Sequence, residues 1–217
     1  MKLALETLEA TLRKHLARAG RVPESCRLIA VTKTYPQQTV TKARALGLTN
    51  FGENKVQEAV QKFPPLEDRL AGETLHLIGP LQTNKARQAL KHFDMIHSVD
   101  RPKLVDTLAR LRDEEGHCPK LFIQVNTGEE PQKAGVMPEN LEALVVQARQ
   151  ADLPLIGLMC IPPADQAPAP HFAWLAKRAR DLGLSELSMG MSQDYAAAAE
   201  LGATYIRVGS ALFGDRI

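Results

Sequence analysis

Short apolar and β-branched runs return along this chain about every 25 residues, and helical spacing fills most of the stretches between them. The runs fall at 28–32, 49–52, 75–79, 95–99, 121–126, 155–160, 186–189 and 204–208. That interval suits one strand, one crossover helix and two short loops, the unit from which parallel sheets are built. Helical signals occupy 40–48, 82–92, 104–111, 141–148 and 194–201, the last stopped by Gly202. Leu5, Leu8, Leu12 and Leu16 recur at three- and four-residue steps before Gly20, so an amphipathic helix precedes the first strand. Eight units without a break in composition predict a single (β/α)8 barrel of the TIM type over residues 1–217, with an extra N-terminal helix. A doubly wound open sheet is the alternative. It is weakened because no G-x-G-x-x-G, G-x-x-x-x-G-K-[ST] or G-x-S-x-G occurs.

Composition narrows the partners. Twenty-seven Lys and Arg against 25 Asp and Glu leave a net charge of +2, which argues against a nucleic-acid footprint. The longest apolar stretch, 154–163, is far shorter than the roughly 20 residues that span a bilayer. Cys26, Cys118 and Cys160 are odd in number and form no C-x-x-C, so neither a disulfide framework nor a metal cluster is expected. Glu6 and Glu9 interrupt any signal-peptide core, which places the expected compartment in the cytoplasm. The segment 162–170, rich in Pro and Ala, is expected to be a surface loop without chemistry.

Barrel enzymes and binders carry their functional side chains at the C-terminal ends of strands. Three such ends stand out. Lys33 continues the alternation of Ile29 and Val31 toward the barrel mouth, where desolvation favours the neutral amine that adds to a carbonyl. An ordinary lysine snorkelling to water is the competing account. In the last strand Arg207 needs a partner because it cannot lose its charge; a carboxylate across the barrel is one candidate and a ligand another. Gly209 admits close backbone approach, and Ser210 adds a donor where a short terminal helix could start. Before these, Met191 and Ser192 lead into a helix, where a serine commonly caps. The two late strand ends together match the place where barrels bind phosphate. One lysine and a late phosphate cup suggest a phosphorylated carbonyl compound. The histidines, His76 and His97 among them, form no H-x-x-x-H and are expected to be core or surface residues.

The segments Ala30-Val-Thr-Lys33, Asn50-Phe-Gly-Glu-Asn54, His76-Leu-Ile-Gly79 and Leu81-Gln-Thr-Asn-Lys85 occur in this order. His97-Ser-Val-Asp100, Lys133-Ala-Gly135, Leu187-Ser-Met-Gly-Met-Ser192 and Arg207-Val-Gly-Ser210 follow. With them the chain resembles the pyridoxal-phosphate homeostasis proteins, which are related to the barrel domain of alanine racemase. Lys55 stands where that family often has tyrosine, and Thr32 where serine is common. The resemblance implies a pyridoxal 5'-phosphate (PLP) Schiff base on Lys33, with Asn54 lining the cofactor face. It implies phosphate binding by Met191, Ser192, Gly209 and Ser210, and Arg207 at the pyridine nitrogen. A guanidinium there only donates, which weakens carbanion stabilisation. The sequence ends at Ile217, three residues past Gly214, so no second domain supplying a further acid or base is expected. The implied function is therefore carrying or buffering PLP for vitamin B6 homeostasis as a monomer, with little or no turnover and no metal. Apo PLP-dependent enzymes are the implied partners. The alternatives are a PLP-dependent amino-acid racemase completed by Tyr35 or His76, and a Schiff-base aldolase.

Overall fold

The computed structural model describes residues 1–214; Asp215 to Ile217 lie outside the described residues, and with them the chain end on which the expectation of no second domain rests. Eight strands, all parallel, close into one barrel in chain order. They are β1 (Arg27–Val31), β2 (Asn50–Glu53), β3 (Thr74–Leu77), β4 (Met95–Val99), β5 (Lys120–Val125), β6 (Leu155–Cys160), β7 (Glu186–Ser188) and β8 (Tyr205–Val208). Closure is made by β8 against β1, where Ile29 lies opposite Arg207. Each predicted run is a strand, within two residues at either end.

The helices are α1 (Lys2–Arg18), α2 (Gln37–Ala45), α3 (Val56–Lys62), α4 (Ala86–His92), α5 (Pro102–Glu115), α6 (Leu141–Gln150), α7 (Pro168–Asp181), α8 (Tyr195–Glu200) and α9 (Ser210–Phe213). The α1 stripe of Leu5, Leu8, Leu12 and Leu16 is buried, and the helix packs against α8 and α9. Period two sorts β1 as expected: Ile29 joins an inner cluster with Phe122, Met159 and Tyr205, while Ala30 joins the outer layer between barrel and helices.

Two helices were not legible beforehand. The polar α3 buries only one turn's worth of side chains, Val56, Ala59 and Lys62. The other, α7, begins inside the segment expected to be a loop. Its prolines sit in the first turn, where the N–H groups have no intrahelical acceptor and Pro costs nothing. Phe172, Leu175, Ala176 and Ala179 then bury the helix face. Among the described residues no helix is long and apolar enough to cross a membrane.

Candidate functional site

A cavity of about 580 Å³ opens at the C-terminal ends of the strands. Val31 and Lys33 line it from β1, Lys133 from the loop after β5, Met191 and Ser192 from beyond β7, and Arg207, Gly209 and Ser210 from the end of β8. Six of the seven expected site residues thus meet on one wall. The 162–170 segment also meets them: Pro162, Pro163, Ala164, Gln166 and Pro168 line the same cavity, a role its composition did not disclose. The Lys133 ammonium pairs with Glu130 at 2.6 Å. Asn54 is the exception. It lines a second cavity of about 310 Å³ with Lys55, Gln57, Gln82 and Lys85. Its backbone abuts Gly79, where a Cβ would lie 2.4 Å from the Asn54 carbonyl oxygen, and this holds it toward the loop after β3.

Arg207 is buried, and no carboxylate pairs with it among the described residues. One guanidinium nitrogen donates to Ser188 Oγ at 2.7 Å and another to the Cys160 carbonyl at 2.9 Å. Burial lowers its proton affinity, while Cys160 and Asp194 act the other way. Its backbone N–H donates to the Gly190 carbonyl at 2.9 Å. Gly190 is required there: its φ is 91°, and a Cβ would stand 2.5 Å from that of Ala198. At Gly209 a Cβ would crowd the Val31 carbonyl at 3.3 Å, so glycine keeps this wall open. Ser210 Oγ donates to Ser192 Oγ at 3.3 Å, which puts two hydroxyls side by side at the cavity. The Met191 N–H donates to Asp194 Oδ1 at 2.5 Å.

Lys33 follows β1 in a turn that is held from behind. Lys62 Nζ donates to the Thr32 carbonyl at 2.7 Å, to Glu53 at 3.1 Å and to Glu58 at 2.6 Å. The Thr32 hydroxyl donates to Glu53 at 2.7 Å, and the Thr34 N–H donates to Glu58. Thr34 has a φ of 65°, a left-handed conformation unusual for a β-branched residue. The residues on both sides of Lys33 are therefore pinned by one buried ionic cluster. Glu53 belongs to a motif quoted for the family resemblance, but nothing in the sequence paired it or Glu58 with Lys62.

Tyr35 and His76 do not line the cavity. The Tyr35 hydroxyl donates to the Gly214 carbonyl at 2.6 Å, and its ring tilts against Phe213. His76 and His97 are fully buried inside the barrel, 3.0 Å apart between Nδ1 and Nε2. The three cysteines are free thiols, and burial pushes Cys26 up to about 11 and Cys118 and Cys160 to about 12.

Burial, reinforced by Arg27 and Arg69, pushes His76 down to about 3; burial, His76 and Arg207 hold His97 well below 6.5. Between about 3 and 6.5 the unfolded chain therefore binds more protons than the native one, and stability is lost as pH falls through that window. Each histidine contributes a slope of up to about 1.4 kcal/mol per pH unit. Burial raises Glu53 instead, which acts in the opposite sense above 4.5. Urea unfolding of the wild type and of His76→Gln from pH 7 down to pH 5 isolates the histidine effect. The wild type should lose stability on acidification more steeply than the variant; parallel curves would show that His76 titrates normally.

Residues 4–217 match the family model described as alanine racemase, N-terminal domain. The pyridoxal phosphate homeostasis protein of Pseudomonas aeruginosa is 43% identical over 213 residues, covering 95% of this chain and 92% of that one. The protein of the same name from Escherichia coli is 37% identical over 211 residues, covering 92% and 89%. PipY of Synechococcus elongatus, solved with PLP bound, superposes with a TM-score of 0.81 at 42% identity, covering 94% of this chain and 100% of that one. The alanine racemase of Acinetobacter baumannii, at 14% identity, shares the fold with a TM-score of 0.72, covering 98% of this chain and 61% of that one.

Proposed function

This chain belongs to the alanine racemase N-terminal domain family and to the pyridoxal phosphate homeostasis proteins within it, and we propose that it binds PLP in the larger cavity and carries or buffers it, with little or no turnover. The observation that carries this reading is a convergence. Lys33 stands at the same cavity as the Ser192 and Ser210 hydroxyls, with a guanidinium that makes no direct ion pair among the described residues. The wall fits the group: Gly209 leaves space that a side chain would fill, and the donors there suit an anion.

Bound PLP supplies an aldehyde carbon that an amine can take up and give back, and a ring whose electron demand depends on the proton at its nitrogen. In this reading Lys33 is the covalent anchor, kept in place by the Lys62 cluster behind its turn. Ser192, Ser210 and the Gly209 backbone hold the phosphate, as does the Met191 N–H once it leaves Asp194. Arg207 would meet the ring nitrogen as a donor only, since a guanidinium has no acceptor, and would favour the unprotonated ring. Asn54 lines the smaller cavity and is the one expected residue to which this reading gives no contact with the cofactor. Residues 1–217 act as one domain in the cytoplasm, as a monomer, handing PLP to apo-enzymes.

A racemase needs a second acid or base across from the lysine. Tyr35 is engaged with Gly214, and His76 is fully buried against His97 and does not line the cavity, so neither supplies it. The test is direct. Protein incubated with PLP should turn yellow, bleach on borohydride, and carry the reduced adduct on the peptide containing Lys33. A colourless protein, or an adduct elsewhere, would favour the aldolase or another anchor. At matched PLP occupancy, wash-out of the alanine α-proton into D₂O should stay slow. Rapid exchange with racemisation would promote the enzyme reading instead.

A further inference from the structure

We propose that His97, backed by His76 and acting through Ser188, is a positioning residue that holds the Arg207 guanidinium in place without neutralising it. Its purpose rests on the PLP reading above; its geometry does not. Five side chains from five elements form one hydrogen-bonded file through the barrel. Arg207 reaches Ser188 Oγ at 2.7 Å, and Ser188 Oγ lies 2.8 Å from His97 Nδ1. His97 Nε2 lies 3.0 Å from His76 Nδ1, and His76 Nε2 lies 3.1 Å from Asn50 Oδ1.

Donor and acceptor rules give this file a single direction. A guanidinium only donates, so Ser188 accepts from it and gives its own hydrogen to His97 Nδ1. His97 then carries its proton on Nε2 and donates to His76 Nδ1. His76 in turn carries its proton on Nε2 and donates to the Asn50 carbonyl oxygen. The reverse direction would leave the Ser188 hydrogen without an acceptor in the file. It would also turn the Asn50 amide nitrogen away from Thr49 Oγ1, to which it donates at 3.3 Å. In the forward direction every dipole presents its negative end toward Arg207, and successive bonds reinforce one another.

The consequence is electrostatic. A carboxylate would hold the guanidinium equally well, but it would cancel the charge that faces the cavity. Neutral imidazoles hold it and leave the charge whole. Both rings stay neutral because they are enclosed: His97 stacks on Phe122 with centroids 4.2 Å apart, and Tyr205 abuts both. The charged groups acting on the pair are Arg27 and Arg69 on His76, and Arg207 on His97, all of which oppose protonation.

The first measurement uses the ligand-free wild type. Imidazole ¹⁵N shifts should show both rings neutral, with the proton on Nε2, from about pH 8 to about pH 5. A proton on Nδ1 of either ring, or a midpoint near 6.5, would overturn the file. The second uses PLP. His97→Phe keeps a flat ring on Phe122 but removes the acceptor, and should raise the PLP dissociation constant about tenfold and shift the visible band, the loss expected for one buried hydrogen bond. His97→Gln, whose amide can both accept from Ser188 and donate to His76, should return to within about threefold of wild type. Should His97→Phe fail to fold, Ser188→Ala carries the same expectation. Wild-type affinity and spectrum in a folded variant lacking the acceptor or the hydroxyl would sink the positioning role. Absence of PLP binding by the wild type would instead defeat the PLP reading, while the ring shifts would still decide the file.

Discussion

Lys33→Ala should fold as the wild type does and lose the borohydride-reducible attachment of PLP completely. The two halves of this expectation have separate causes. Lys33 lies beyond the last residue of β1 and is only partly buried, so truncation opens no core cavity, and stability should stay within about 0.5 kcal/mol. Its amine, by contrast, is the group proposed to take the aldehyde. The phosphate cup of Ser192, Gly209 and Ser210 survives the substitution, so weak, non-covalent PLP binding should persist. Absorbance after gel filtration and mass mapping after reduction read the first half; urea denaturation reads the second. A reduced adduct that persists on the peptide spanning the end of β1 in the alanine variant would remove Lys33 from its role.

The largest loss of stability is expected for Lys62→Met. Glu53 is fully buried, with one carboxylate oxygen lacking a hydrogen-bond partner among the described residues, and Lys62 is the cation that faces both Glu53 and Glu58. Removing it leaves a buried carboxylate uncompensated, which typically costs about 3–5 kcal/mol. Burial already pushes the Glu53 carboxyl up, against the influence of Thr32 and Lys62, so the variant should take up a proton there. Denaturant unfolding measures the cost. Adding Glu53→Gln should recover a substantial part of it, because the amide needs no counter-charge. The same substitution frees the Thr32 carbonyl, so PLP should leave Lys62→Met faster than wild type under conditions where both are folded. A loss below about 1 kcal/mol would mean that the pair behaves like an exposed one, and that the turn before Lys33 is held by other means.

The strands were legible because a barrel strand must be apolar in a short, bounded run, and eight such runs recur at one interval. The α1 stripe was legible for the matching reason at helical spacing. Where periodicity failed, the burial was small or the composition misleading. With seven mostly polar residues, α3 shows too little apolar face to register, and the prolines of α7 read as loop until their place in a first helical turn is known. The six residues that share the larger cavity were found because strand ends in a barrel converge on one mouth, whatever the intervening chain does.

What the sequence determined by itself was therefore the closed barrel, its N-terminal helix, and the convergence of Lys33 with Met191, Ser192, Arg207, Gly209 and Ser210. These follow from spacing along the chain, since each strand carries its last residues to the same end. Only the tertiary structure decided the partners inside and behind the mouth. Lys62 meets Glu53 and Thr32, and His97 meets Ser188, across separations of 9 to 91 residues. Such pairings depend on barrel registers and on which of two adjacent side chains turns inward. Arg207 shows the difference most plainly. Its need for a partner could be deduced from its charge, whereas a file of neutral groups in place of a carboxylate became apparent only when strands from both sides of the closed barrel faced one interior.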